Sequence, residues 1–254
     1  MRKYSKIITL NKNSRGIWDL DTTKGCTSGI NYDLKGCYGC CYSAYFAKLY
    51  GYDFSKTTKR DFKNCLHGVN VINKISKTDI PFIRIGNSCD PSEDWEHTIK
   101  ICKTMSLARK PIVIITKHWM EIPEYLLSKI EKLNVCINTS ISALDSKTHS
   151  EHRIKQYNRL KNVCNSVLRI VSCDFNKDNQ TGYKLSKVQD NLFENEKTID
   201  NILRIKKNHS LVINKIINIK RVKFLTTNVY ASIYNKNTYF GACDNCPEMC
   251  GINF

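Results

Sequence analysis

The apolar positions along the middle of the chain follow two alternating rhythms. Ile80–Gly86 and Pro111–Thr116 are short runs rich in isoleucine and valine, the composition of buried strands. Between them, Trp95–Leu107 sets Ile99, Ile101, Cys102 and Met105 at helical spacing. Glu121–Leu133 does the same with Ile122, Leu126, Ile130 and Leu133, and Asn134–Ile141 alternates Val135, Ile137, Thr139 and Ile141. Ser150–Asn165 reads as a helix and Ser166–Cys173 as a strand. Lys184–Asn208 reads as mostly helical, followed by strands at Leu211–Ile219 and Val222–Leu225. Strands separated by helical stretches of 10–16 residues argue βαβ units and a parallel sheet. Five or six such units in about 200 residues predict an α/β fold of the partial (β/α)6 TIM-barrel type. The barrel is expected over residues 1–230, with a Cys-rich C-terminal segment over 231–254.

Composition narrows the class. The chain has 254 residues, 41% of them hydrophobic, with 11 Gly and 5 Pro, which excludes disordered and collagen-like chains. Its longest fully apolar runs are about four residues, against roughly 20 for a bilayer span, so no membrane association is expected. Met1–Leu10 carries charges around a three-residue apolar stub, unlike a secretory signal. The expected location is therefore cytoplasmic, where thiols stay reduced.

The net charge is +17, from 40 basic and 23 acidic side chains. It falls in two blocks: residues 1–60 hold 11 basic and 4 acidic groups, and residues 151–225 hold 16 and 7. Such blocks fit contact with nucleic acid, DNA or RNA. They have a plainer source too. There are 30 Lys but only 10 Arg, and Lys, Asn and Ile together make a third of the chain, the bias of an A/T-rich coding sequence.

Cysteine placement is more specific. Of 13 cysteines, seven fall in two groups. The first is Gly25-Cys26, then Gly36-Cys37-Tyr-Gly-Cys40-Cys41-Tyr42. Thiolates three or four apart in a Gly-containing loop converge on one metal centre. Three of them leave one iron of a four-iron cluster without a protein ligand, and four suit structural zinc. The second group is Cys243, Cys246 and Cys250, whose spacing suits a second iron–sulfur cluster or a zinc ion. Cys102, Cys136 and Cys164 lie in apolar-periodic segments as small core residues.

Small polar residues follow four successive strands: Gly86-Asn87-Ser88-Cys89-Asp90, Thr116-Lys117, Thr139-Ser140-Ile141-Ser142 and Ser172-Cys173-Asp174. Together they are what a ligand-binding barrel mouth requires, although each alone is an ordinary turn. Ser92 is expected to cap the helix that begins near Trp95, with Glu93 and Glu96 near its first turn. His118, His149 and His152 are isolated and read as surface residues.

The combination resembles the radical SAM superfamily, and within it the spore photoproduct lyase and DNA-repair-photolyase-like group and phage-type proteins with a three-cysteine motif. The resemblance rests on Gly25-Cys26, Gly36-Cys37, Cys41-Tyr42-Ser43-Ala44, the Gly86–Pro91 run, Thr116-Lys117, Ser140–Asp145, Arg153 and Arg159-Leu160. It covers about residues 17–175, and the C-terminal third has no match. The chain departs from the usual C-x3-C-x2-C signature, because Ala44 stands where the third cysteine is expected after Cys37 and Cys41. Cys26, Cys37 and Cys41 fit the three-cysteine arrangement, with Cys40 the rival for the third place. The resemblance implies a [4Fe-4S] cluster that binds S-adenosylmethionine at its open iron, and one-electron cleavage to a 5′-deoxyadenosyl radical. It places Gly86, Asn87 and Ser88 near the cofactor's amino group, and Ser140 and Ser142 near its ribose or carboxylate. Asp90, Thr116 and Lys117 belong to the same mouth, and Tyr42 is placed on the adenine. Cys89 is either a hydrogen donor or a small turn residue. An electron donor of the flavodoxin or ferredoxin kind is implied. The substrate expected is a nucleic acid or nucleotide derivative. The alternatives are a peptide or small metabolite, or a zinc-stabilised nucleic-acid-binding protein without catalysis.

Overall fold

The computed structural model describes residues 6–221, 229–235, 238–239 and 245–254. Three short strands open the chain, β1 (Asn11–Lys12), β2 (Trp18–Leu20) and β3 (Thr23–Lys24). The cysteine loop lies between two helices, α1 (Thr27–Tyr32) and α2 (Tyr42–Leu49). Strand β4 (Thr58–Lys59) then pairs back antiparallel on β3. From helix α3 (Cys65–Ser76) onwards strands and helices alternate: β5 (Ile83–Ile85), α4 (Trp95–Met105), β6 (Ile112–Thr116) and α5 (Glu124–Ile130). The series continues through β7 (Val135–Ile141), α6 (Lys147–Lys161), β8 (Asn165–Ile170), α7 (Gln180–Phe193) and β9 (Thr198–Asp200). A small antiparallel sheet follows, with order β10 (Arg204–Lys206), β12 (Val229–Ala231), β11 (Lys220–Arg221). A single helical turn, α8 (Ser210–Ile213), interrupts it.

Among the described residues the main sheet has seven strands in the order β1-β2-β5-β6-β7-β8-β9, parallel from β2 to β9, with β1 antiparallel at one edge. The α/β class and the parallel sheet agree with expectation. Among the described residues β1 and β9 remain edges, and closure into a barrel is not seen. Each parallel crossover is a helix, as the geometry of joining parallel strands demands. Side-chain caps start several of them: Asn64 accepts from His67 N–H (2.8 Å), Asp94 from His97 N–H (2.9 Å) and Asn179 from Thr181 N–H (3.0 Å). The cap of α4 is thus Asp94, not Ser92.

The two faces of the sheet are covered differently. Ile83, Ile85, Ile112, Ile114, Val135 and Ile137 point to the layer made by α3, α4 and α5, packing on Ile75, Ile99, Met105, Leu126 and Ile130. Ile17, Phe82, Val113, Cys136, Val167 and Ile199 lie on the opposite face near the amino ends of their strands. Cys250, with Met249 and Ile252, covers them there. Asn138 Nδ2 donates to the Cys250 carbonyl (3.0 Å) and Asn165 Nδ2 to that of Gly251 (3.2 Å). The expected boundary at residue 230 falls inside β12, which pairs with β10 and β11.

Two expectations fail downstream of β8. The helix predicted to residue 208 stops at Phe193, and β9 pairs parallel with β8 through Leu168–Thr198 and Ile170–Asp200. The strand predicted over 211–219 is instead the turn α8 followed by extended chain, bridged only at Ile217 to Phe175. Of the predicted strand 222–225, every residue lies outside the described ones.

Candidate functional site

The cysteine loop is shaped by glycines. Gly36 has φ +77°, and a Cβ there would lie 2.3 Å from Cys41 Cβ, so only glycine lets the loop fold back on Cys41. On α1, a Cβ on Gly29 would lie 2.8 Å from Cys26 Sγ and 3.7 Å from Cys37 Sγ. The bare Cα of Gly29 therefore leaves room where these two sulfurs approach each other. Cys41 packs with Cys26, Ala44, Ala47 and Phe54 in one apolar cluster. Cys40, its neighbour, packs elsewhere, with Tyr38 on Cys173, Phe175, Leu203 and Leu211. The adjacent cysteines thus enter different apolar clusters, Cys41 that of Cys26 and Cys40 that of Cys173. Among the described residues, no three His, Cys, Asp or Glu side chains converge as a single-ion site. A four-iron cluster spreads its thiolates over different irons and holds them further apart.

Burial raises the pKa of Cys26, with the carboxylate of Asp90, Cys37 and Glu93 adding to it. Burial pushes the Cys37 thiol up to about 11 against the pull of Lys117, and Cys40 up to about 12. Charge stabilisation by a metal is what such buried thiols lack as thiolates.

The strand ends beside the loop are tied by buried carboxylates. Asp90 Oδ1 accepts from Ser92 N–H (2.9 Å), Ser92 Oγ (2.7 Å) and Thr116 Oγ1 (2.7 Å), and its Oδ2 accepts from Lys117 N–H (2.7 Å). One side chain thus clamps the end of β5 to the end of β6. Ser92 Oγ in turn accepts from Trp119 N–H (2.9 Å). Asp21, just past β2, accepts from the backbone N–H of Asn87 (2.9 Å) and Ser88 (3.1 Å) and from Cys89 Sγ (3.5 Å). Burial raises the Asp21 carboxyl, and these donors oppose it. Gly86 has φ +89°, and a Cβ there would meet the Ile115 carbonyl oxygen at 2.2 Å. The Gly86–Cys89 turn is therefore fixed by steric necessity and by Asp21.

A buried ion cluster stands between the loop and the ends of β6 and β7. Arg153 and Asp145 form an ion pair with both side chains almost fully buried. Arg153 Nε donates to the Lys117 carbonyl (2.7 Å) and its guanidinium lies 4.8 Å over Trp119. Lys117 Nζ donates to the Tyr38 hydroxyl (2.5 Å). Burial lowers the Lys117 pKa, and Arg153 adds to this while Asp145 opposes it. Burial disfavours the charged Asp145 carboxylate, yet Lys117 and Arg153 outweigh that and hold its pKa below the ordinary value. Tyr38 sits at φ +58° directly after Cys37, so Lys117 is joined to the cysteine loop through one hydroxyl.

The remaining predicted residues fall as follows. Ser140 lies in register with Arg169 on the sheet, buried. Ser142 Oγ donates to the Val171 carbonyl (2.7 Å), and its N–H donates to Asp145 Oδ2 (2.8 Å). Asn87 is exposed, and its Oδ1 accepts from Arg84 (3.3 Å). Tyr42 is 66% exposed on α2, its ring 4.5 Å from that of Phe46. Cys246 is half-buried and Cys250 buried, at the far end of the sheet from the loop, while Cys243 lies outside the described residues. His118, read as a surface residue, is fully buried: its Nε2 pairs with Thr139 Oγ1 (3.0 Å), and burial holds its pKa down to about 3.

Sequence reasoning missed Asp21, Glu93, Tyr38 and the joining of Asp145 to Arg153. Glu93 Oε1 accepts from Ser28 N–H (2.8 Å) and faces Cys26 Sγ (3.6 Å), and its Oε2 accepts from Thr57 Oγ1 (3.1 Å). Asp21 was within reach of the strand-end rule, had the three-residue β2 been recognised.

Among the described residues no helix is long and apolar enough to cross a membrane. No protein-family model matches the chain, and no curated protein matches it in sequence. Among solved structures it is similar to a spore photoproduct lyase mutant with bound AdoMet and a dinucleoside spore photoproduct. The TM-score is 0.52 at 11% identity, over 88% of this chain and 71% of that one. At that identity the likeness is one of fold: a mixed α/β architecture around a mostly parallel sheet, shared with a radical SAM enzyme.

Proposed function

We propose that the chain is a radical SAM enzyme on a partial β/α barrel, with Cys26, Cys37 and Cys41 holding a [4Fe-4S] cluster. Its proposed substrate is a nucleic acid or a nucleotide derivative. The observation that carries the reading is the gap at Gly29 between the Cys26 and Cys37 sulfurs, beside the carboxyl ends of a parallel sheet. When bound, the cluster and S-adenosylmethionine supply one-electron cleavage of a carbon–sulfur bond and hydrogen abstraction from the substrate.

The protein's own share is to bind, orient and exclude water. Asp90 and Asp21 fix the turns after β5 and β6, so that Gly86, Asn87, Ser88, Thr116 and Lys117 hold set positions at the rim. Half-buried Lys117 brings a positive charge next to Cys37, where an anionic group of a cofactor would be favoured, and Arg153, paired with Asp145, holds the Lys117 carbonyl in place. Ser140 on β7 and Ser142 just past its end would serve the cofactor's ribose or carboxylate. Cys89, its thiol turned to Asp21, is the proposed hydrogen donor. Electrons would come from a small flavodoxin- or ferredoxin-type protein.

Anaerobic reconstitution tests the reading. A brown protein with about four irons that cleaves S-adenosylmethionine on reduction supports it. Stoichiometric zinc with no retained iron overturns it, leaving a zinc-stabilised binding protein.

A further inference from the structure

Helix α2 is built inside out. It buries Ser43 and Ala47, while Tyr42, Tyr45 and Leu49 are 66%, 45% and 59% exposed and its C-cap Tyr50 is 73% exposed. Burying a ring gains more than burying a methyl or hydroxyl group, so core formation alone would choose the opposite face. The rings are nonetheless ordered against one another. Phe46 is the hub, with centroids at 4.5 Å to Tyr42, 5.8 Å to Tyr45 and 5.9 Å to Tyr50, the last pair stacked.

A second, independent feature adjoins this face. Lys206 Nζ lies 3.9 Å from the Tyr45 ring centroid. The segment carrying it is docked on the cysteine loop by His209, whose Nε2 is hydrogen-bonded to the Tyr38 carbonyl (2.7 Å). A shallow groove of about 540 Å³ is lined there by Lys206, Lys207, Asn208 and Ile213. Residues 33–53 and 200–221 together contain eight Lys or Arg against three Asp, namely Asp33, Asp53 and Asp200. An acidic peptide would engage the cations alone. A row of exposed rings beside cations matches unpaired bases and their phosphates.

We propose that α2 and the Lys206–Lys207 segment form a platform for single-stranded nucleic acid. Bases stack on Tyr42, Tyr45 and Tyr50, and phosphates lie on Lys206 and Lys207. The platform starts beside the thiol loop, since Cys41 caps α2. This deepens the functional reading by naming its substrate as a single strand, and rests on that reading for the link to chemistry.

The test is fluorescence anisotropy of labelled single-stranded DNA and RNA of about 12 nucleotides, a length within the range of such sites, with the full chain both reconstituted and metal-free. Tyr45→Ala with Tyr50→Ala should weaken binding about 30-fold or more, the loss expected for two stacked bases. The corresponding double Phe variant should bind within about twofold of the parent, because stacking survives. An abasic oligonucleotide should bind as poorly as the double Ala variant shows. Lys206→Gln with Lys207→Gln should shallow the salt dependence by about 1.4 in log–log slope, for two phosphates. Whichever of DNA and RNA shows this base and tyrosine dependence is the ligand. Unchanged binding by a double Ala variant that melts like the parent overturns the proposal, as does equal binding of the abasic strand or tyrosine-dependent binding of an acidic peptide instead. Tyrosine-dependent binding by a protein that takes up zinc but no iron would overturn the enzyme reading and leave the platform. Cleavage of S-adenosylmethionine without tyrosine-dependent binding would do the reverse.

Discussion

The two ends of the parallel sheet are made of different materials, and each has its own cysteines. At the carboxyl ends Asp21, Asp90, Thr116, His118, Ser142 and Arg153 are buried polar groups whose hydrogen bonds are spent on turns and on one another. At the amino ends Ile17, Phe82, Val113, Cys136, Val167 and Ile199 form an apolar surface sealed by Cys250. Buried polar groups cost free energy unless paired, whereas an apolar seal gains it directly. The rim therefore stands only while its hydrogen bonds and ion pair stay complete, whereas the seal is held by apolar burial itself. Cys26, Cys37 and Cys41 lie at the first end, Cys246 and Cys250 toward the second, which predicts different consequences of removing them.

The largest contrast is Cys37→Ala, which should abolish the cluster at the thiol loop and S-adenosylmethionine cleavage while the chain still folds. Retained iron and cleavage would break the comparison at its centre. Gly86→Ala should come next. It forces a side chain into the Ile115 carbonyl at φ +89° and should destabilise by about 3 kcal/mol or more, with loss of cofactor binding. Its counterpart, Gly251→Ala, meets Val167 Cγ2 at 2.7 Å with φ +72°, and should cost about 2 kcal/mol while iron and activity persist at low temperature. Denaturant melts and iron analysis on the two variants sharpen the distinction between rim and seal. Asp90→Asn turns an acceptor into a donor facing a backbone N–H at one of its two oxygens. A loss of about 2 kcal/mol and a raised KM for S-adenosylmethionine are expected.

The rim should also make stability depend on pH. The folded His118 pKa of about 3 lies below the unfolded value, so between them the unfolded chain binds the extra proton. Stability is therefore unaffected above pH ~6.5 and falls by up to about 1.4 kcal/mol per pH unit below it. Urea melts of His118→Gln should lack that component of the slope. The smallest effect is expected from Cys246→Ala. If the tail holds a second cluster or zinc with Cys243, this variant loses that metal alone; unchanged total metal shows the tail to be only a seal.

Much of this was legible in the chain. Strands β5 to β8 announce themselves through Ile83, Ile112 and Val135, since a buried parallel strand needs a run of β-branched residues. Strands β1 to β4 and β9 were not, because they are no longer than β5 but lack the apolar run that surrounds Ile83 and Ile85. The run of Leu211, Val212 and Ile213 reads as a strand, yet it forms one helical turn because His209 Nδ1 accepts from Leu211 N–H (3.2 Å) and caps it. At the site, the polar residues after each strand were visible, but their partners were not. Glu93 reaching Cys26 and Arg153 reaching Asp145 are set by how loops and helices stack, which no local spacing encodes. Cys40 and Cys41 are neighbours in sequence and differ only in the core each enters.

The seal also sets an order of events. Residues 249–252 are synthesised after every strand they cover, so Val113, Cys136, Val167 and Ile199 lack this cover while the sheet is being made. A ribosome-bound chain that has completed β9 thus carries an uncovered greasy surface, the kind of intermediate that chaperones hold or that self-associates. Slowing translation after Asp200 should therefore lower the soluble yield of this protein more than slowing it before β5.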